Sequence, residues 1–451
     1  MHNMNDLTKG NVSTRLLCFF FPMLLTNTLQ QAYTFVDTII VGKGLGDRAL
    51  GSVGNLSSMM LLITGFLMGI TNGFAVDIAQ SFGAGNNGLL RKKIAHSIKF
   101  CGVIAVALTV VSLISLEPLL IYMQTPPALI KDSLLYGYIF FSGLIITAAY
   151  NLCSCILRAL GDSTTPFKAI ITSSLVNIAL DCLLILFFHT GVEGAAVATV
   201  FAQAISVLVC WHKLSHNTKL HLKRNDFLIN REISLNLLRN GVPAALMNSI
   251  TAVGCMVVQG YVNVLGAAFT SAYSACTKYL NLIMLPSLTA GFSLSAFVSQ
   301  NKGAGNVQRI RKGVQVSIWI AFVSWIVIGV IMFLFPEKLA SIMLNEQETI
   351  SLAADFLRIC AISLLLLNLM FIFRSAVQGM GHPLIPMCSG LAEMALRIPA
   401  IILLVKSVGF AATAYAESIA WTGALLLNVV AYIVFIWKTK DHPTSTVSPI
   451  K

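Results

Sequence analysis

A chain of 451 residues that is 56% apolar and 11% charged, with a mean hydropathy of +0.81, has too few polar side chains to cover a water-soluble globule of its size. It belongs in a bilayer. The formal charge of +12 raises the question of nucleic-acid binding, so the placement of the basic residues decides its meaning.

Spanning helices need about 20 mostly apolar residues each. Twelve such segments fit, at 16–42, 50–80, 94–122, 133–160, 166–189, 192–212, 238–265, 270–300, 314–335, 350–378, 384–406 and 409–437. The fold class predicted is therefore an all-α integral membrane protein with twelve transmembrane helices in two pseudo-symmetric six-helix lobes. The N-terminal lobe covers 1–212 and the C-terminal lobe 238–437, with a cytoplasmic linker at 213–237 and a cytoplasmic tail at 438–451. An even number of spans returns the chain to the same side, so both lobes share one orientation about an axis along the membrane normal. With the N-terminus inside, the inner segments carry 22 of the 30 Lys and Arg and the outer loops 5, while Lys278, Arg358 and Arg397 lie within spans. That positive-inside bias puts both termini in the cytoplasm and explains the net charge by topology. No nucleic-acid partner is expected.

The first span follows a polar stretch, Met1 to Gly10, and is interrupted by Pro22 and Asp37, which separates it from a secretory leader. Asp37 stands about five residues from the outer end, and intramembrane acids are rare and functional more often than structural. Gly42 to Arg48 reads as an outer turn, since no GK[ST] follows to make a phosphate cradle. Asp77 closes the second span near Arg91, Lys92 and Lys93, the position of an interfacial ion pair.

Beside it stands Gln80-Ser-Phe-Gly-Ala-Gly-Asn86, which returns 220 residues later as Gln300-Asn-Lys-Gly-Ala-Gly-Asn306, followed by Arg309, Arg311 and Lys312. At the same offset Gly161 falls on Gly381 and Pro166 on Pro386, and Pro22 lands one residue from Pro243. The chain is two copies of one unit, the pattern of a transporter built from related halves.

In the fourth span Tyr136 and Tyr138 stand near a boundary, as belt residues do. The fifth contains Asn177 and Asp181 at i, i+4, on one helical face. At 1.5 Å per residue Asp181 lies about 22 Å from Pro166, in the outer half of the membrane. Thr199 in the sixth span and Asp37 in the first reach a comparable depth. A buried acid there is protonated, paired or cation-bound. The polar segment from Trp211 to Gly241 has room for a short amphipathic helix on the membrane surface.

The second half keeps the frame but not the acids. Asp181 falls on Ile401, Asn177 on Arg397 and Asp37 on Val257. Glu393 and Arg397 form a self-neutralising i, i+4 pair, while Lys278 and Glu417 have no evident partner in the sequence. The ten cysteines form no disulfide framework or zinc spacing.

Pro22, Val36-Asp37-Thr-Ile-Ile-Val-Gly42, the segment Gln80 to Asn86 with its copy, Leu157-Arg-Ala-Leu-Gly-Asp162 and Gly191-Val-Glu-Gly-Ala-Ala-Val-Ala-Thr199 resemble, in order and over the whole chain, the multidrug and toxic compound extrusion (MATE) family, DinF-like branch. The resemblance implies a cation site in the N-terminal lobe formed by Asp37, Tyr136, Asn177, Asp181 and Thr199, taking H+ or a Na+ ion held at Asp37 and Asp181. It also implies a monomeric multidrug antiporter of the cell inner (plasma) membrane, exporting amphipathic, often cationic small molecules without a cofactor. The alternative is a lipid-linked oligosaccharide flippase of the same superfamily, which calls for a strongly basic cavity where these spans offer Arg397 and Lys278. An intramembrane enzyme ranks last, for want of a metal set or a nucleophile-base arrangement, and two large halves offer no ring of filter segments for a channel.

Overall fold

A computed structural model describes residues 6–441 apart from 124, 218 and 219. The described chain is helical: α1 (Val12–Leu45), α2 (Asp47–Gly83), α3 (Asn87–Tyr122), α4 (Pro127–Ser142), α5 (Leu144–Ala159), α6 (Thr164–Asp181), α7 (Val192–Ser215), α8 (Arg231–Val264), α9 (Ala267–Ile283), α10 (Leu285–Gly303), α11 (Val307–Leu334), α12 (Pro336–Ser341), α13 (Gln347–Gly379), α14 (Leu384–Val408) and α15 (Ala411–Asp441). Eleven of these segments are long and apolar enough to span a bilayer, with α9 and α10 counted together. The pair α4 and α5, bent by 44° at Gly143, makes twelve when taken as one span. This agrees with the twelve spans expected. The tail from 438 onward falls largely outside the described residues.

Two compact units divide the chain. One is Phe21–Ala245 and the other combines Leu7–Phe20 with the chain from Leu246 on. Both divisions run through long helices, close to Pro22 in α1 and Pro243 in α8, rather than through the 213–237 linker. An interior proline removes one ladder hydrogen bond and crowds the preceding turn, so it marks where a long helix departs from straightness.

The first unit is built on α5, which packs against α2, α3 and α7, with α6 lying along α7. In the second, α13 contacts α9, α10, α11, α12, α14 and α15. Each has its own apolar core, with Phe74 and Phe141 fully buried in the first and Phe356 and Leu357 in the second.

The duplication is written in the backbone as well as the sequence. Left-handed φ angles recur 220 residues apart at Gly46 and Gly266 (86° and 121°), Gly85 and Gly305 (70° and 72°), Gly161 and Gly381 (85° and 78°), and His189 and Gly409 (49° and 59°). His189 is the one described non-glycine residue in this set, in a region where a Cβ crowds the backbone.

The repeated basic runs also act alike. In the second unit Arg309 donates to the Gly10 carbonyl at 2.7 Å and the Leu7 carbonyl at 3.0 Å. Gln300 Oε1 accepts from the Leu7 amide at 3.0 Å. Leu7 and Gly10, from the stretch expected to be polar, are thus pinned, with Leu7 fully buried. In the first unit Arg91 pairs with Asp226 at 3.4 Å, and His96 Nε2 accepts from the Asn230 amide at 3.0 Å. Each run holds the segment that leads into a long helix, before α1 in one unit and before α8 in the other.

The linker accordingly carries no amphipathic surface helix among its described residues. It makes a 3-10 turn at Arg224–Phe227 that packs on α3, where Asp226 caps the Lys223 amide at 2.9 Å while pairing with Arg91.

Gly73 sets a close helix approach in the first unit. A Cβ there would stand 2.4 Å from the Asn240 carbonyl oxygen and 2.5 Å from Gly241 Cα on α8. Small residues let membrane helices pack backbone to backbone in this way.

Two substitutions should therefore move stability in opposite directions. Gly73→Ala must push two backbones apart and is expected to lower the melting temperature of the purified protein, at a cost of about 1–3 kcal/mol. His189→Gly relieves the left-handed residue and should raise stability by about 1 kcal/mol. Thermal unfolding in one detergent, with both variants beside the parent, measures the two shifts.

Candidate cation site and buried charge clusters

In the first unit, α1, α4, α6 and α7 bring together the five residues singled out in the sequence. Asp37 lies on α1, Tyr136 on α4, Asn177 and Asp181 on α6, and Thr199 on α7. Asn177 and Asp181 are fully buried, Thr199 and Tyr136 buried, and Asp37 half-buried. The Asp37 and Asp181 carboxyls are close enough to interact with each other. Tyr136 shares their electrostatic environment and stacks on Phe140 at 6.2 Å between ring centroids.

A sixth residue completes the group. Tyr33, also on α1, interacts with both carboxyls and with Thr199. Tyr33 and Asp37 are spaced i, i+4, so the helical periodicity that linked Asn177 to Asp181 was available to find it.

Asp181 occupies a special place in its helix. It ends the α-helical part of α6, and the chain continues as a π-helical turn over Cys182–Phe187. Such turns are rare and are enriched at functional sites. The widened turn is capped by Phe188 and followed by His189, the left-handed residue, before α7 begins.

What distinguishes this cluster is unmet hydrogen-bonding capacity. Asp37 Oδ1, both carboxyl oxygens of Asp181, and both amide atoms of Asn177 are buried without a hydrogen-bond partner among the described residues. Two carboxylates facing each other are acceptors only, so nothing bonds them unless one carries a proton or a cation lies between them. Leaving such groups buried and unmet is strongly unfavourable. The oxygens of two carboxyls, an amide and a hydroxyl make a donor set suited to a proton or a small hard cation. Among the described residues, no group of three or more His, Cys, Asp or Glu is arranged to hold a metal ion. All ten cysteines are free thiols.

Two other buried charge clusters pair their charges internally. Asp77 pairs with Lys93 at 3.3 Å and accepts from Asn240 Nδ2 at 2.7 Å, all three side chains buried. This is the ion pair expected near the end of the second span.

In the second unit Arg374 meets Glu393 at 2.6 Å, Arg397 meets Glu393 at 3.4 Å, and Arg397 meets Glu417 at 2.9 Å. Every member is buried. Two sequence readings are corrected here. Glu417 has a partner, brought by the packing of α15 on α14. The nearest partner of Glu393 is Arg374, reached across from α13, rather than Arg397 on its own helix. Lys278 is exposed, and Arg358 pairs at the surface with Glu337 and Asp355.

With this geometry established, comparison with known proteins is informative. A family profile described as MatE matches residues 22–183 and again 243–403, one match in each half. The chain is 29% identical over 452 residues to the probable multidrug resistance protein YoeA of Bacillus subtilis, covering 96% of each protein. It is 27% identical to the probable multidrug resistance protein YpnP of the same organism, over 83% of this chain and 84% of that one. A solved outward-facing structure of a multidrug resistance MATE family transporter of the MOP superfamily shares the fold, with a TM-score of 0.91 at 20% identity over 98% of this chain and all of that one.

The contrast between satisfied and unsatisfied clusters generates a stability prediction of unusual sign. Asp181→Asn supplies the donor that the Asp37/Asp181 pair lacks, so its melting temperature is expected to hold or rise. Lys93→Met strands Asp77 and should destabilise by about 3–5 kcal/mol. Thermal unfolding of the two variants checks this; a large loss for Asp181→Asn would show that the acid pair is structurally satisfied after all.

Proposed function

The chain belongs to the multidrug and toxic compound extrusion family, and from that premise we propose that it is a secondary active exporter coupled through Asp37 and Asp181. Members of the family are transporters of small molecules, and this chain is a multi-pass membrane protein. In the reading advanced here, an inward-moving proton or sodium ion occupies the Asp37/Asp181 pair. Its arrival drives the rearrangement that releases an amphipathic, often cationic compound outward.

The observation that carries this reading is the pair of facing carboxyls with no donor between them, beside an Asn177 amide that is also unmet. A site that needs one positive charge, and has none of its own, couples naturally to a cation gradient. Proton and sodium compete for the same oxygens. Loading removes one unit of the pair's negative charge and unloading restores it, so the conformational equilibrium acquires two states that a cation can bias. Tyr33, Tyr136 and Thr199 line the same cluster and set its shape. No cofactor takes part, and one chain, containing both halves, suffices as the working unit.

The flippase alternative has less support. It needs uncommitted positive charge for a pyrophosphate, whereas Arg374 and Arg397 are engaged with Glu393 and Glu417. Location in the cell inner (plasma) membrane with cytoplasmic termini rests on the 22-to-5 distribution of Lys and Arg. Reporter fusions at Lys438 and near Asn87 should both report cytoplasm; a periplasmic signal from either site refutes the orientation.

Gradient-driven efflux of a fluorescent cation, by variants matched for membrane expression, tests the coupling. Asp181→Asn keeps size but loses the group that exchanges a cation, so efflux should fall at least about tenfold. Asp37→Asn should act in the same direction and less severely, since Asp37 is the more exposed of the two. Glu393→Gln should retain coupled efflux per folded molecule while lowering stability. Normal transport by Asp181→Asn alongside failure of Glu393→Gln would place the coupling site in the other half.

A further inference from the structure

The two halves treat buried charge differently at the same register. Arg397 stands 220 residues after Asn177, the offset that also relates the four pairs of left-handed residues. Asn177 lies on α6, which packs on α7, and Arg397 lies on α14, which packs on α15. In the first unit the register holds an amide with both polar atoms unmet, next to two carboxyls. In the second it holds a guanidinium in contact with two carboxyls, at 2.9 Å from Glu417 and 3.4 Å from Glu393.

We infer that Arg397 is a tethered cation, whose guanidinium fills in the second half the place that an exchangeable cation takes in the first, and so keeps Glu417 from exchanging a proton or metal ion. Its functional meaning rests on the proposed coupling through Asp37 and Asp181; its structural content stands apart from that reading.

Charge accounting supports the assignment. Arg374, Glu393, Arg397 and Glu417 sum to zero, so the second cluster needs nothing from solution. Asp37 and Asp181 sum to two negative charges, with no basic side chain among the groups that interact with them. The contacts of Arg397 are those of a counter-ion. Nη2 serves both carboxylates, while the buried Nε has no acceptor. Hydrogen-bond completeness does not hold this arginine in place; opposite charge does.

The network is a chain with unequal ends. Glu393 keeps Arg374 at 2.6 Å whether or not Arg397 is charged. Glu417 has Arg397 as its ion-pair partner among the described residues. Neutralising Arg397 therefore strands one carboxylate, Glu417, at a buried position. An unpaired buried carboxylate takes up a proton or binds a cation. A single substitution should convert the second half from an inert cluster into a second exchanging site, so Arg397 limits coupling to the first half.

Reaction with dicyclohexylcarbodiimide, an apolar reagent that modifies protonated carboxyl groups in bilayer surroundings, tests this in lipid nanodiscs with peptide mass spectrometry as readout. In the parent protein Glu417 should stay unmodified. In Arg397→Gln its modification should rise at least about tenfold, and in Arg397→Lys, which keeps the positive charge, it should stay near the parent level. Equal Glu417 modification in the parent and Arg397→Gln overturns the inference. If Arg397→Gln is too unstable to purify, the charge-matched double variant Arg397→Gln with Glu417→Gln decides. Recovery of folded yield supports the counter-charge role, and no recovery overturns it. The same digest reports on Asp37 and Asp181. If these stay unmodified in the parent while the Glu417 contrast holds, the coupling reading fails and the tethered cation stands.

Discussion

A charge placed among apolar helices must find its opposite, and the structure is organised by how each buried ionisable side chain meets that requirement. Asp77 meets it with Lys93 and Asn240, tying α2 and α3 to the first part of α8. Glu393 and Glu417 meet it with Arg374 and Arg397, tying α13, α14 and α15 together. Asp37 and Asp181 do not meet it within the protein. That imbalance turns one polar cluster among three into a candidate site, because a buried pair satisfied internally is inert whereas an unsatisfied one must exchange something with solution. Burial and geometry carry the distinction; the mere presence of an acid in a span does not.

The duplication gives this contrast its meaning. Two copies of one helical frame retain the same left-handed turns at Gly85 and Gly305 and at Gly161 and Gly381, and the same basic runs that hold the segment entering a long helix. Backbone conformations that admit few residue types are retained, while the chemistry facing the helix bundle has diverged. Where the first copy has Asn177 and Asp181, the second has Arg397 and Ile401. One copy carries an acid pair without a basic partner among the described residues and the other a self-neutralised cluster, on the same frame.

Much of this was legible in the sequence, for definite physical reasons. Span number follows from the length of an apolar helix needed to cross hydrocarbon, and even the bent fourth span fell within one apolar segment. Asp37, Asn177, Asp181 and Thr199 were visible because polar residues in long apolar segments stand out and because i, i+4 spacing fixes a face. Tyr33 carried the same i, i+4 signal relative to Asp37, but its part in the cluster is set by tertiary packing with α6 and α7. The partners of Glu417 and Glu393 were missed because they come from neighbouring helices, α14 for one and α13 for the other, and sequence spacing reports only on pairs within one helix. Leu7 was read as part of a polar tail, because nothing local shows that Gln300 and Arg309, almost 300 residues away, hold it. The linker helix failed for a related reason: Asp226 finds Arg91 on α3, and that contact favours a docked turn over a surface helix.

The central claim is that the Asp37/Asp181 pair exchanges a cation with solution. Infrared difference spectroscopy on the purified protein in lipid films tests it most directly, by comparing carboxyl bands as pH is changed without sodium and as sodium is added at fixed pH. The account predicts a carboxyl difference band that responds to pH, to sodium or to both, and that is absent from Asp181→Asn. Identical difference spectra from the parent and Asp181→Asn would contradict it.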